Sequence, residues 1–99
     1  MSRALVIEPE AEREITEATD WYDQRSRSAR VGFSQALERA LAAIQNNPNQ
    51  YQVVHRHVRR ALLGRYPYAL FYVATESEVI VMACFHCRRD PRRWQNWIS

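Results

Sequence analysis

Lysine is missing from this chain: all 14 basic residues are arginine. The plain explanation is a coding bias toward arginine, and the alternative is selection for forked donors, which suit phosphate and carboxylate. Glycine is scarce. With only two, Gly32 and Gly64, the chain can build neither a dinucleotide-binding fingerprint nor a phosphate-cradling loop, so no nucleotide cofactor, and no cofactor of any kind, is expected. Cysteine is confined to Cys84 and Cys87, too few for a disulfide scaffold. Long apolar runs are absent as well. The run from Tyr66 is broken at Glu76 and the one from Val79 stops at His86, far short of a bilayer-spanning segment. The start, MSRALVIEPE, lacks a signal-peptide pattern, so the expected location is cytoplasmic with no membrane partner. There is no repeat, low-complexity tract or Gly/Ser linker, and 99 residues bury one core, giving a single domain over residues 1–99.

What the chain does have is 46% hydrophobic and 25% charged residues, the balance of a folded globular protein. Its net charge of +3 is unevenly placed: residues 1–50 hold six Arg against eight acids, and residues 51–99 hold eight Arg against three acids. An acidic helical half and a basic strand half produce a field that favours acidic partners on one side.

The pattern along the chain reads strand, helix, helix, then three strands and a short tail. Arg3 to Ile7 is a brief strand, and Pro9 suits the first turn of a helix, where its missing donor costs nothing. Ala11, Ile15, Ala18 and Tyr22 recur at helical spacing among Glu10, Glu12, Glu14 and Glu17, and the face shared by Glu10, Glu14 and Glu17 is expected to be solvated. Arg25 to Ser28 breaks this pattern. Ser28 is the expected cap of a second helix, with Phe33, Leu37, Ala40, Leu41 and Ile44 in one stripe and Asn46, Asn47 and Pro48 stopping it. Val58 to Leu63 is short and half polar, as an outer or flanking strand would be. Tyr66–Thr75, rich in aromatics, and Val79–Phe85, with its valines, form the core hairpin, reversed by Thr75, Glu76, Ser77 and Glu78. Asp90-Pro91 signals a short final helix with Trp94, Trp97 and Ile98 on one side. The expected fold is α+β: an N-terminal strand, then a two-helix hairpin packed on a small antiparallel β-sheet, then a short C-terminal helix.

Candidate chemistry is sparse. Cys84-Phe85-His86-Cys87 has CxxC spacing, but residues three apart on a strand point to opposite faces, so no metal is expected there. His55 and His57 have no ligand partner at a suitable spacing and read as exposed loop residues. Acid–base work by Glu10, Glu14 or Glu17 would require one of them in a desolvated pocket.

Several features then fall into a familiar order: Trp21-Tyr22 on the first helix, Pro48 closing the second, Tyr66-Pro67-Tyr68 with Phe71-Tyr72, and His86 followed by Arg88, Asp90, Pro91 and Trp94. In this order they resemble the RelE/ParE superfamily of small bacterial toxins, over nearly the whole chain. The resemblance implies a plasmid-stabilisation toxin neutralised in a hetero-oligomer by a cognate antitoxin, whose flexible segment wraps the groove between helical hairpin and sheet. In the RelE branch, toxins cut messenger RNA on the ribosome, which needs cations for the phosphorane-like charge and groups to move protons. Arg60 and Arg88 match two of the basic positions. Tyr68-Ala69-Leu70 lacks the arginine that branch places mid-strand, a lysine-type position is Leu62, and the tyrosine-type position is Trp94. One preorganised electrostatic group is worth about 3–4 kcal/mol, so the loss of the central cation disfavours nuclease chemistry. The chain resembles more closely the ParE branch, which poisons DNA gyrase by protein contact.

The expected function is therefore a gyrase-binding toxin without catalytic residues. The rival is a ribosome-dependent messenger RNA endonuclease that would use Arg60, His86 and Arg88, with His86 as acid or base. A small RNA-binding domain is the third reading, although stacking aromatics interleaved with the charges are missing. Arg59, Arg60, Arg65, Arg88, Arg89, Arg92 and Arg93, with Trp94, are the candidate partner-binding residues, suited to bidentate pairing with an acidic antitoxin segment.

Overall fold

The computed structural model describes residues 3–88. The chain runs through β1 (Ala4–Ile7), α1 (Pro9–Arg25), α2 (Arg27–Asn46), a single 3-10 turn (Pro48–Gln50), β2 (Gln52–His55), β3 (Val58–Leu63), β4 (Tyr66–Ala74) and β5 (Glu78–His86). The strands form one sheet in the order β1-β5-β4-β3-β2. All neighbours are antiparallel except β1, which joins β5 in parallel through a register of Ala4 with Glu78 and Ile7 with Val81. The fold is thus α+β, with a mixed sheet. The expected C-terminal helix, with Trp94, Trp97 and Ile98, lies outside the described residues.

The helical hairpin is tighter than the sequence pattern suggests. Pro9 occupies the first turn of α1 as expected, but the break is the single residue Ser26 rather than Arg25 to Ser28. Ser26, not Ser28, is the cap. Its extended backbone lets its hydroxyl accept a hydrogen bond from Ala29 N at 3.0 Å while its own N–H donates to Tyr22 O at 3.1 Å, so one residue ends α1 and starts α2. Such a cap is worth about 1 kcal/mol.

Both helices lie on one face of the sheet. Ala11 and Ala18 of α1 and Phe33, Leu37, Ala40 and Ile44 of α2 pack with Ala61, Leu63, Tyr68, Leu70, Tyr72, Val79, Val81 and Cys84. The alternating residues Val58, Ala69, Phe71, Ala83 and Phe85 form a second buried cluster on the other face. Burial of both sets explains why β4 and β5 read as continuous apolar runs instead of alternating ones. Thr75 closes their hairpin: its hydroxyl accepts from Ser77 N and Glu78 N, and its N–H donates to Glu78 O. At the β3–β4 turn, Gly64 takes φ 60°, a left-handed backbone that glycine adopts at no steric cost.

Two features of the sheet depart from expectation. β2 is an additional strand, short and half polar, which places β3 one position in from the edge. Each outer strand also covers only part of its neighbour. β2 pairs with β3 from Arg60 back to Val58, leaving Ala61 to Leu63 without a strand on that side among the described residues. β1 pairs with β5 only as far as Val81.

Candidate interaction surface

The arginines of the strand half do not form one strip. Arg59 and Arg60 are consecutive on β3 and therefore point to opposite faces. Arg59 faces the helical side, half-buried, and its guanidinium donates to Tyr51 O at 2.5 Å and Asn49 O at 3.3 Å. A candidate partner-binding residue, it also holds the 3-10 turn against the sheet. Tyr72, opposite Arg59 on β4, does the same work by donating its hydroxyl to Pro48 O at 2.6 Å. Burial pushes the Tyr72 phenol up to about 12.

Arg60 lies on the other face, opposite Phe71. Near it is Cys87, whose thiol is raised by burial, an effect that the Arg60 charge opposes. His86 pairs with Tyr68 across the β4–β5 ladder and sits edge-on to that ring at 5.0 Å, on the helical side. Arg88 follows, exposed, and its backbone N–H donates to His86 Nδ1 at 3.1 Å. The structure thus brings His86 and Arg88 together and puts Arg60 on the opposite face from His86. Arg65 is exposed beside Gly64, at the same end of the sheet as His86; its charge lies 5.4 Å from the Tyr66 ring centre. Arg89, Arg92, Arg93 and Trp94 lie outside the described residues.

The two cysteines also part company, as a strand geometry requires. Cys84 joins the helical-side core and Cys87 packs on the second cluster. Among the described residues no group of His, Cys, Asp and Glu is arranged to hold a metal. His55 is half-buried on β2 rather than in a loop, and His57 is exposed in the following turn.

One residue that sequence reasoning placed in solvent is buried: Glu14 is only 5% exposed. Beyond Val81, where β1 gives way to α1, its Oε1 accepts the Cys84 N–H at 2.9 Å and takes the place of a neighbouring strand's carbonyl. Burial pushes the Cys84 thiol up to about 12, with the Glu14 charge adding to the effect. The signal was present in the spacing, since Glu14 falls three residues after Ala11 and four before Ala18, on the buried stripe.

A second missed feature is a groove between α2 and the far half of β3. It consists of two adjoining cavities of about 280 Å³ each, which share Ala36, Arg39, Leu63 and Gly64. Tyr51 lines one end and Tyr66 the other. The Tyr66 ring can lie across α2 because Gly32 has no Cβ; one added there would stand 2.5 Å from the Tyr66 hydroxyl. Tyr66 in turn belongs to an aromatic cluster in which Tyr22 stacks on Phe33 at 4.9 Å and meets Tyr66 at 5.4 Å and Tyr68 at 6.2 Å. This cluster locks the junction of the two helices to the start of β4.

A helical hairpin over a five-stranded sheet, with arginines on both faces and a groove beside α2, defines a small α+β protein. Residues 5–91 match the family described as the ParE toxin of the type II toxin-antitoxin system, parDE, and the chain belongs to that family. No curated protein matches the sequence. Among solved structures the chain is similar to one from the chromosomal ParDE toxin-antitoxin system of P. aeruginosa, at 16% identity and a TM-score of 0.69, covering 86% of this chain and 96% of that one. At that identity the likeness speaks for the fold. The chain is accordingly a ParE-family toxin of a type II toxin-antitoxin system.

Proposed function

We propose that this toxin arrests growth by binding DNA gyrase through protein contact and that a cognate antitoxin neutralises it in a hetero-oligomer. The observation that carries this reading is the separation of the residues a RelE-type nuclease would need. Arg60 stands on one face of the sheet, and His86 packs on Tyr68 on the other. Proton transfer and phosphorane stabilisation require donors converging on one phosphate within hydrogen-bond reach. The mid-strand arginine position is Ala69, fully buried, and the lysine-type position is Leu62. The family match, to ParE toxins, favours the same target class.

The test is a parallel measurement on the purified chain: supercoiling by purified gyrase, and integrity of messages in a translation extract. Inhibited supercoiling with intact transcripts is the expected result. Codon-phased cleavage on the ribosome, lost in an Arg60→Ala/His86→Ala/Arg88→Ala variant, would overturn it in favour of an endoribonuclease.

A further inference from the structure

The turn between β2 and β3 has a backbone that its sequence does not suit. His55 pairs with Val58, so Arg56 and His57 alone make the reversal, and Arg56 takes φ 52°, the one positive φ outside glycine among the described residues. A Cβ crowds the backbone in that region, and two-residue hairpin loops accordingly favour glycine, asparagine and aspartate. Arginine is none of these. The register also shifts between Val53 and His55, an irregularity of the kind that re-aims the side chains beyond it.

Local packing gives the arginine no reason to be there. Arg56 and His57 are exposed, and neither forms an ion pair with a described residue. Their apolar neighbours belong to the sheet: Val58 is buried in the second cluster and Val54 packs against it. The surrounding chain is cationic, since residues 39–75 contain five arginines and no Asp or Glu. Glu76 and Glu78 stand at the same end of the sheet, but at the β4–β5 turn, two or more strand spacings away. A separation of about 10 Å matches the Debye length at ~0.1 M salt, so their charges reach the β2–β3 turn largely screened. Arg3, which donates to Thr75 O, offsets one of them at close range.

From these observations we infer that the β2–β3 turn is a contact point for the phosphodiester backbone of a nucleic-acid duplex. The Arg56 fork donates to phosphate oxygens, and the His57 ring adds a donor beside it. An acidic polypeptide is the competing occupant, and the form of the turn disfavours it. Peptide capture draws on a strand ladder or an apolar groove, and the tip itself offers neither. Phosphate contact needs neither, because each neutralised phosphate releases condensed counterions and binding then follows from charge, here a net +3 on the chain. Such contacts fix a protein on a duplex without reading its sequence. The inference stands apart from the gyrase reading, which concerns a protein contact.

The experiment uses the full chain and a fluorescent DNA duplex of mixed sequence, about 20 base pairs long, with anisotropy followed from about 50 to 200 mM salt. Binding should weaken as salt rises. Arg56→Gly should lower affinity at least threefold at the low-salt end and flatten the log–log salt slope by about 0.9, the share of one phosphate. Arg56→Lys keeps the charge and should keep the slope. Arg27→Gln removes an exposed arginine on α2 and should leave the slope as it is in the parent. In an NMR titration the amides of residues 55–57 should shift on addition of the duplex. Because glycine suits φ 52°, Arg56→Gly should melt no lower than the parent, which separates loss of binding from loss of fold. Absence of duplex binding at the low-salt end, an unchanged slope in Arg56→Gly, an equal loss in Arg27→Gln, or amide shifts confined to other strands overturns the inference. So does a polyglutamate peptide that binds as tightly as the duplex, which would make an acidic protein the occupant. A lower melting temperature for Arg56→Gly also overturns it, for the side chain would then be serving the fold.

Discussion

The two ends of the sheet solve the same problem in opposite ways. Each outer strand is four residues long and leaves half of its neighbour uncovered. On the β1 side, α1 begins where the strand stops, and the buried Glu14 carboxylate accepts the Cys84 N–H. On the β2 side, α2 stands off behind small side chains, and the edge at Ala61 to Leu63 faces a groove. The first edge is sealed with a charged hydrogen bond; among the described residues the second is open. An open edge costs a small protein in aggregation risk, which natural sheets normally suppress. Along the sequence, residues 39–75, which include this edge, carry five arginines and no Asp or Glu.

The largest effect is expected at the sealed edge. Glu14→Ala leaves a buried N–H without an acceptor and opens a void, and should cost about 3 kcal/mol in denaturant unfolding. Glu14→Gln keeps a carbonyl acceptor in place and should cost less than half as much. A similar loss for both would mean that charge, not the strand-like hydrogen bond, is what the edge requires.

The next effect is a pH dependence. Cys84 and Tyr72 both have folded pKa values of about 12, above their ordinary values of 9.0 and 10.0. Between pH 9 and 12 the unfolded chain therefore loses these protons before the folded one does, and the folded state binds more protons. Stability is unaffected by these groups below about pH 9 and falls as pH rises, by up to about 1.4 kcal/mol per pH unit for each group. Thermal melts from pH 8 to 11 check this, and Cys84→Ala should flatten the decline.

Smaller effects mark the open edge and its corner. Tyr72→Phe removes the hydrogen bond to Pro48 O that steers the chain away from β3, and should cost about 1 kcal/mol. Leu62→Thr, at an exposed position on the open edge, should stay within about 0.5 kcal/mol of the parent in the same unfolding assay. A larger loss would show that Leu62 is covered in solution.

The sequence made the β4–β5 hairpin legible because its aromatic and β-branched runs are long and the Thr75 turn is polar. The helical hairpin was equally plain from its apolar stripes. β2 was not, since Gln52-Val53-Val54-His55 is too short and too mixed to show a period. The cap moved to Ser26 because both Ser26 and Ser28 have capping side chains and only the backbone decides between them. For the surface, composition gave the number of arginines but not their faces. A strand's period of two already separates Arg59 from Arg60, and that alternation was the available clue. Nothing in the residues 61–63 themselves signals the groove, because it arises from a pairing that β2 fails to extend.

Amide hydrogen exchange on the unliganded chain tests the contrast between the edges most directly. The Cys84 amide, held by Glu14, should exchange only on global unfolding, while at least one amide among residues 61–63 should exchange orders of magnitude faster. Uniformly slow exchange across Ala61 to Leu63 would contradict the account, for it would mean that this edge is already closed.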